Sequence, residues 1–502
     1  MKITCRLLAI LLICFPSFSL AQGQPKTVTI LHTNDMHSAF LPHEAGWIRS
    51  EPKPLVGGLE ELWWQVDSLR RARGDALVLD AGDVMTGTPI SDVMYNGAFG
   101  GALFEMMNLI GYDAWTIGNH DLDISQANLI ALTQIARFPT LSANLLDTIG
   151  RHPLNNRDYV ILVRDGLRIG IIGLMSKDLF ELTNTKTLKG LVVAPTVQTM
   201  QRVIDKIDPE TDVIVALTHQ GTDEDSILAE STRGLDVIIG AHSHTRLTKP
   251  RVVNRVIICQ TGANCESLGD LEITVDNDEV VQHRGVLHQL WKKPRPDSEM
   301  FALVSEFEHT IKREFGEVLG TAAADLRRSR RTESALGRFV TETMRLGSGT
   351  NIAVTNTSGI RKDLSAGPIS KLDLYELAPF RNYLSSFRMS GKEVRQLAQR
   401  YISQLLEGST SIQISGLECT WRRADGRGDI VGLKIGGKEV TDDQTYTCGT
   451  SDYVVNQAER YLGMIPATIE QSETTVFDAL VARLRQDGSV PAEFVPGFRE
   501  IN

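Results

Sequence analysis

Between Thr27 and about His288 the chain alternates two textures. Short apolar, β-branched runs end in polar or Gly-rich turns, and stretches with helical spacing often follow. Val28–His32, Ala76–Asp80, Ala114–Ile117, Tyr159–Arg164, Arg168–Leu174, Asp212–Leu217, Asp236–Gly240 and Val256–Gln260 read as strands. Their apolar residues are mostly continuous, which suits strands buried on both faces. Leu59–Arg73 and Ile124–Arg137 carry the spacing of amphipathic helices. Strands alternating with helices predict an α/β domain.

Leu290-Trp291-Lys292-Lys293-Pro294-Arg295-Pro296-Asp297 breaks this pattern, and Ser298–Phe315 predicts a linker helix. From about Glu317 a second α/β region follows, with helical stretches Ser334–Leu346 and Gly391–Leu406. Its strand-like runs are Ile352–Asn356, Leu384–Met389 and Asp429–Ile435. No internal repeat or low-complexity tract is visible. The expected division is a leader over residues 1–21, a first domain over 26–290, a linker over 291–316 and a second domain over 317–502.

The leader is read from Lys2 and Arg6, the apolar run Leu7–Phe18 and the small residues of Ser19-Leu20-Ala21. This is the pattern of a signal peptide cleaved after Ala21, and it predicts a periplasmic or secreted protein. The run is shorter than the ~20 residues of a membrane span. No later apolar stretch reaches that length, and the polar Pro491–Asn502 offers no tail anchor, so no stable membrane anchor is expected.

Composition narrows the function. With 42% apolar and 23% charged residues, wholesale disorder is excluded, and 502 residues can bury an ample core. Loss of Lys2 and Arg6 leaves 50 basic against 62 acidic residues, net −12, which argues against a nucleic-acid partner. Four cysteines remain, Cys259, Cys265, Cys419 and Cys448. Neighbourhood favours the pairs Cys259–Cys265 and Cys419–Cys448, with free buried thiols as the open alternative.

All 11 histidines lie at or before His309, so a histidine-bearing metal site belongs to the front of the chain. Ligands in α/β sheets bind past the strand ends. There stand Thr33-Asn34-Asp35-Met36-His37, Ala81-Gly82-Asp83, Gly118-Asn119-His120-Asp121-Leu122-Asp123, Thr218-His219-Gln220-Gly221 and Ala241-His242-Ser243-His244. The candidates are Asp35, His37, Asp83, Asn119, His219, His242 and His244. Oxygen and imidazole donors suit Zn, Mn or Fe. The number exceeds the needs of one ion and fits two divalent ions sharing a carboxylate. Any one segment alone reads as a turn or helix cap. Five together are specific.

The five segments resemble the signature of the binuclear metallophosphoesterases, in their 5′-nucleotidase branch. Thr29–Ser38, Gly57-Gly58, Leu141–Leu145 and Gly170–Leu174 are also similar to landmarks of that branch. The resemblance covers nearly the whole mature chain. It implies a metallophosphoesterase β-sandwich flanked by helices, followed by a 5′-nucleotidase C-terminal domain. It implies one ion on Asp35, His37, Asp83 and His244, and a second on Asp83, Asn119, His219 and His242. His120, oriented by Asp123, would stabilise the transferring phosphoryl group or protonate the leaving oxygen. His244 stands where the family often has Asn or Gln, and Asp121-Leu122 replaces the usual Glu-Phe. The implied mechanism is attack on phosphorus by a hydroxide that the cations make available.

The second region has no histidine but has arginines near turns, which alone read as a solvated charged face. The resemblance shifts that reading. Asn356–Arg361 is similar to the family's Asn-Gly-Gly-Gly-Ile-Arg, which implies ligand contacts by Arg330, Asn356 and Arg361. Phe380 in Leu377–Phe380 and Tyr453 in Thr450–Tyr453 match the segments whose aromatics sandwich a base. Glu459, in Asn456-Gln457-Ala458-Glu459-Arg460, stands near the family's ribose-binding Asp. The expected function is hydrolysis of nucleoside 5′-monophosphates. A 2′,3′-cyclic nucleotide, a nucleoside diphosphate sugar or another phosphoester is the alternative substrate, and a non-catalytic nucleotide binder is the remote one. No G-x-S-x-G, P-loop or G-x-G-x-x-G motif supports serine hydrolase, NTPase or dinucleotide chemistry.

Overall fold

The computed structural model describes residues 24–501. The leader segment 1–21 lies outside the described residues. Two six-stranded sheets form the front of the molecule. One runs Glu279–Gln289, Ser267–Asp276, Lys26–Thr33, Leu77–Asp80, Ala114–Thr116, Thr140–Leu141. The other runs Tyr159–Arg164, Leu167–Met175, Val213–His219, Val237–Gly240, Val256–Cys259, Arg251–Val253. The inner strands pair in parallel, and Tyr159–Arg164, Arg251–Val253 and the Ser267–Gln289 hairpin add antiparallel edges.

The pleat sorts side chains by alternation. Val28, Ile30, Leu77 and Leu79 of the first sheet meet Ile169, Ile171, Val215, Leu217 and Ile239 of the second. The intervening residues of the second sheet, such as Ile172, Ile214, Ala216 and Ile238, pack against Met200, Val203 and Ile207 of helix Thr196–Ile207. On the outer face of the first sheet, Leu31, Val78 and Trp115 meet helices Leu59–Arg73 and Gly101–Ile110. Both faces of the inner strands are thus buried, which is why their runs are continuously apolar. Each fully buried Ile or Leu contributes roughly 1.5–3 kcal/mol.

Helix Glu299–Phe315 is part of this layer. Ser298 caps it, and Met300, Val304, Phe307, Ile311 and Phe315 are buried against the first domain. The Pro-rich break before it is clamped: Lys292 lies 2.6 Å from Glu60, and Arg295 lies 3.0 Å from Glu61.

The second domain centres on a five-stranded sheet, Ile412–Ser415, Ile352–Asn356, Thr445–Ser451, Tyr383–Ser390, Ile469–Thr475. Helices Ala335–Ser348 and Gly391–Glu407 cover it, and both start at serine caps. The four cysteines of the described chain are free and buried, so neither favoured pairing forms. Cys259 sits between the two front sheets while Cys265 belongs to the helix-side cluster. Among the described residues no helix is long and apolar enough to cross a membrane.

Candidate metal centre and substrate cavity

The ends of four parallel strands of the two front sheets and the loop after Ala114–Thr116 deliver the candidate ligands to one place. Five of the seven, Asp35, His37, Asp83, His242 and His244, hold φ between 47° and 73°. This is the left-handed region, sparsely used by residues with a side chain and frequent where backbone strain serves a site. Backbone bonds hold the turns. The Asp35 amide donates to Gly82 O (2.9 Å), the His37 amide to Asp83 O (2.9 Å) and the His242 amide to Asp35 Oδ2 (2.9 Å).

Two groups of donors result, Asp35–His37–His244 and Asp83–His219–His242, with donor atoms within 4.8 Å of one another in each. Asn119 Oδ1 joins the second, 3.2 Å from His219 Nε2 and 3.1 Å from His242 Nδ1. Nδ1 of His37 faces Thr86 O at 3.0 Å and Nδ1 of His219 faces Ala81 O at 2.9 Å. In the neutral rings these nitrogens donate, so Nε2 presents a lone pair. His37 Nε2 then lies 2.9 Å from His244 Nε2, and His219 Nε2 lies 3.1 Å from Asp83 Oδ2. Acceptors converging on acceptors is an arrangement that a cation resolves, and the donor set fits divalent metal ions.

The electrostatics agree. Burial opposes charge on His219, yet Asp83 and Asp35 outweigh it and raise its pKa to about 10, so the surrounding carboxylates favour positive charge at this corner of the centre. Burial, aided by neighbouring histidines and, at His244, by Arg361, lowers His242 to about 3 and His244 to about 4. Both are neutral and able to ligate near pH 7.

Beside the centre, His120 Nδ1 lies 2.7 Å from Asp123 Oδ2, and the His120 amide donates to Asp83 Oδ1 at 2.8 Å. These groups open into a cavity of about 1120 Å³ between the two domains. His37, His120, Asp123 and His244 form one wall, and Asn356, Arg361, Phe380 and Tyr453 form part of the facing one. Phe380 stacks on His120 with ring centroids 5.4 Å apart, and Arg361 sits 5.7 Å from the Phe380 centroid. Asp92 accepts from Tyr375 (2.6 Å) and Arg381 Nε (3.0 Å), and Asp452 accepts from Asn184 (3.0 Å), so the domains are joined on both sides of the cavity.

Residues 28–246 match the calcineurin-like phosphoesterase family, and residues 314–465 match the 5′-nucleotidase C-terminal domain. The chain belongs to the calcineurin-like phosphoesterases that carry a 5′-nucleotidase C-terminal domain. It is 27% identical over 483 residues to the trifunctional nucleotide phosphoesterase protein YfkN of Bacillus subtilis, covering 85% of this chain and 32% of that one. It therefore spans about a third of that relative. It is 26% identical over 506 residues to protein UshA of Yersinia enterocolitica, covering 90% and 89% of the two chains. Among solved structures, the 5′-nucleotidase precursor from Thermus thermophilus superposes with a TM-score of 0.76 at 27% identity, over 95% of this chain and 99% of that one.

In this phosphoesterase the residues matched to substrate-contact motifs fall into two groups. Asn356, Arg361, Phe380 and Tyr453 line the cavity. Arg330 does not, and Arg328 lines it instead; Glu459 is exposed on the turn of helix Ala458–Leu462, away from the wall. Motif spacing could not separate Arg328 from Arg330, because the segment carrying them is irregular rather than helical or extended.

Three supporting residues escaped the sequence reading. Asp121 accepts from the amides of Gly118 (2.8 Å), Asp83 (3.1 Å) and Met85 (3.0 Å), binding two ligand loops together. Thr86 accepts from His37 through its carbonyl and donates through Oγ1 to Asp123 at 2.9 Å, linking the metal group to the His120–Asp123 pair. At Gly118 a Cβ would overlap Asp83 Oδ1. Only Asp121 carried a signal, as the odd residue in its motif.

Proposed function

We propose that the chain is an exported, metal-dependent phosphohydrolase that releases phosphate from nucleoside 5′-monophosphates. One observation carries this reading. A single cavity sets two acceptor-rich donor groups and the His120–Asp123 pair against Asn356, Arg361, Phe380 and Tyr453 of the second domain. Asp35, His37, Asp83 and His244 would hold one divalent ion such as Zn or Mn. Asp83, Asn119, His219 and His242 would hold the other. When bound, such a pair supplies Lewis-acid charge at a phosphoryl oxygen and a more acidic water.

The chain's own groups do the rest. Asp123 engages Nδ1 of His120, which fixes the ring and leaves Nε2 to protonate the leaving oxygen as water displaces it from phosphorus. Burial works against charge on His120, but Asp123 and Asp83 prevail and raise its pKa to about 9. Arg361 offers charge and paired N–H donors to the phosphate. Phe380 and Tyr453 offer aromatic faces to a base.

The test is phosphate release from AMP, 2′,3′-cyclic AMP and p-nitrophenyl phosphate, with metal added back after chelation. AMP is expected to be the best substrate, and its hydrolysis to vanish with the metal. No release from any of them would leave the chain a nucleotide binder. His120→Asn is expected to retain both ions while kcat falls by about 10²–10⁴. Surviving turnover would refute the assignment of His120.

A further inference from the structure

Residues 183–189 of the first domain brace the loop that carries Asn119, His120 and Asp123, and they are tied to both of its ends. Thr183 Oγ1 donates to Asn119 O at 3.0 Å. Gln126, three residues past Asp123, donates through Nε2 to Thr187 O (2.9 Å) and Lys189 O (3.0 Å). Between these ties lies one short 3₁₀ turn, His120–Leu122, without a side-chain cap. Such a turn is weakly held by its own hydrogen bonds, so its placement depends on its neighbours. Asp121 ties it to the Asp83 loop, and the brace is a second hold.

The brace is itself folded, and it is anchored in the other domain. Asn184 O accepts from the Thr187 amide (3.0 Å) and Oγ1 (2.9 Å), and Asn184 Oδ1 accepts from the Lys186 amide (2.9 Å). Its remaining polar group, Nδ2, donates across the domain boundary to Asp452 Oδ2 at 3.0 Å. Asp452 is buried, and its Oδ1 accepts from the amides of Tyr383 (3.0 Å) and Tyr453 (2.9 Å). One carboxylate therefore joins the backbone of Tyr453 to the brace on the His120 turn.

The connection runs in one direction of use. A base resting on Tyr453 restricts the segment that Asp452 belongs to. Through Asn184 that restriction reaches Thr183 and the Asn119 carbonyl. Asn119 and His120 are consecutive, so their placement is shared. Binding energy from a part of the substrate remote from phosphorus is then used to orient the reacting end, where a misplacement of about 1 Å costs up to ~10² in rate.

We propose that Asp452 is a positioning residue, which acts through Asn184 and Thr183 to fix the turn bearing Asn119 and His120 when a base rests on Tyr453. The inference rests on the nucleotide reading and deepens it: the base contributes to kcat as well as to KM. Neither Asp452 nor Asn184 takes part in bond breaking.

The test compares kcat and KM on AMP and on ribose 5-phosphate, which lacks the base, for the metal-loaded full chain and its Asn184→Ala and Asn184→Asp variants. Asn184→Ala removes the donor, and Asn184→Asp sets carboxylate against carboxylate. Each is expected to lower kcat on AMP by about tenfold, with KM on AMP and kcat on ribose 5-phosphate both within about threefold. The double variant Asn184→Asp with Asp452→Asn exchanges donor and acceptor and leaves the Lys186, Tyr383 and Tyr453 amides their oxygens. It is expected to regain most of the lost AMP turnover. Equal losses on both substrates would make the brace merely structural and overturn the proposal. So would a double variant no faster than Asn184→Asp. A wild-type chain that hydrolyses AMP with Asn184→Ala unimpaired overturns this inference alone. Phosphate release from ribose 5-phosphate and none from AMP would overturn the nucleotide reading and the inference together.

Discussion

Gly118 shows how little room the centre leaves. A side chain there would meet Asp83 Oδ1, held by the His120 amide, and the Asp83 amide nitrogen, held by the Asp121 carboxylate. Gly118→Ala is therefore expected to push Asp83 aside. The bound metal, measured by elemental analysis, should fall from two ions per chain to one or fewer, with the circular dichroism spectrum unchanged. Two retained ions would show that Asp83 does not bridge the groups. The residues of this centre were legible because Asp, His and Asn recur just past apolar runs. Their left-handed backbone was not, since Asp35 and His37 look like ordinary turn residues until the loops are seen bound to one another. Arg330 and Glu459 carry the residue types of their motifs but lie outside the cavity lining, with Arg330 still near enough to Arg361 to act on its charge.

At the scale of elements, strands buried on both faces announced themselves through unbroken apolar runs. The hairpin Ser267–Asp276 and Glu279–Gln289 did not, because its outer strand is largely exposed and polar. Helix Gly101–Ile110 is apolar on nearly every side, so no period marks it. Asp236, just before strand Val237–Gly240, accepts from the Ile214 amide at 2.8 Å and ties two strands together. Burial, aided by Asp208 and Asp278, raises its pKa from 3.8 to about 6. The folded state thus holds this proton more tightly than the unfolded chain. The ionised carboxylate costs stability that grows as pH rises from about 4 to about 6, up to roughly 3 kcal/mol. Asn keeps the acceptor without the charge. Asp236→Asn is expected to raise Tm by about 4–10 °C at pH 7.5, with the gap closing near pH 4. An equal gap at both pH values would rule out the titration.

For the whole molecule, the decisive feature is the seam between the domains. Phe315, Tyr375 and Phe477 form a run of edge-to-face contacts at 5.6 and 5.4 Å, and Asp92 receives Tyr375 and Arg381 beside it. Asp92→Ala would strand a buried tyrosine hydroxyl, at about 1–3 kcal/mol. Chemical denaturation is expected to show that loss, and solution scattering a larger radius. An unchanged midpoint and radius would show that the seam is held without Asp92, by the aromatic contacts and the Asn184–Asp452 bond. Metal removal is a second test at this scale. Ions that bind only the folded state add about 2.7 kcal/mol at a hundred times their Kd. Chelation is expected to lower Tm, and added divalent metal to restore it. A Tm indifferent to both would mean that the centre holds no ion.

The sequence by itself determined the layered α/β front, the seven candidate ligands and the division of histidine in front from arginine and aromatics behind. Local chemistry suffices there, since burial demands apolar runs and metals demand Asp, His and Asn. Tertiary structure decided which residues face the shared cavity. It brought Phe380 of one domain onto His120 of the other, set Arg328 and Arg361 in the cavity wall and kept four thiols apart from disulfides. Those outcomes depend on contacts between segments hundreds of residues apart, which no local pattern of residues encodes.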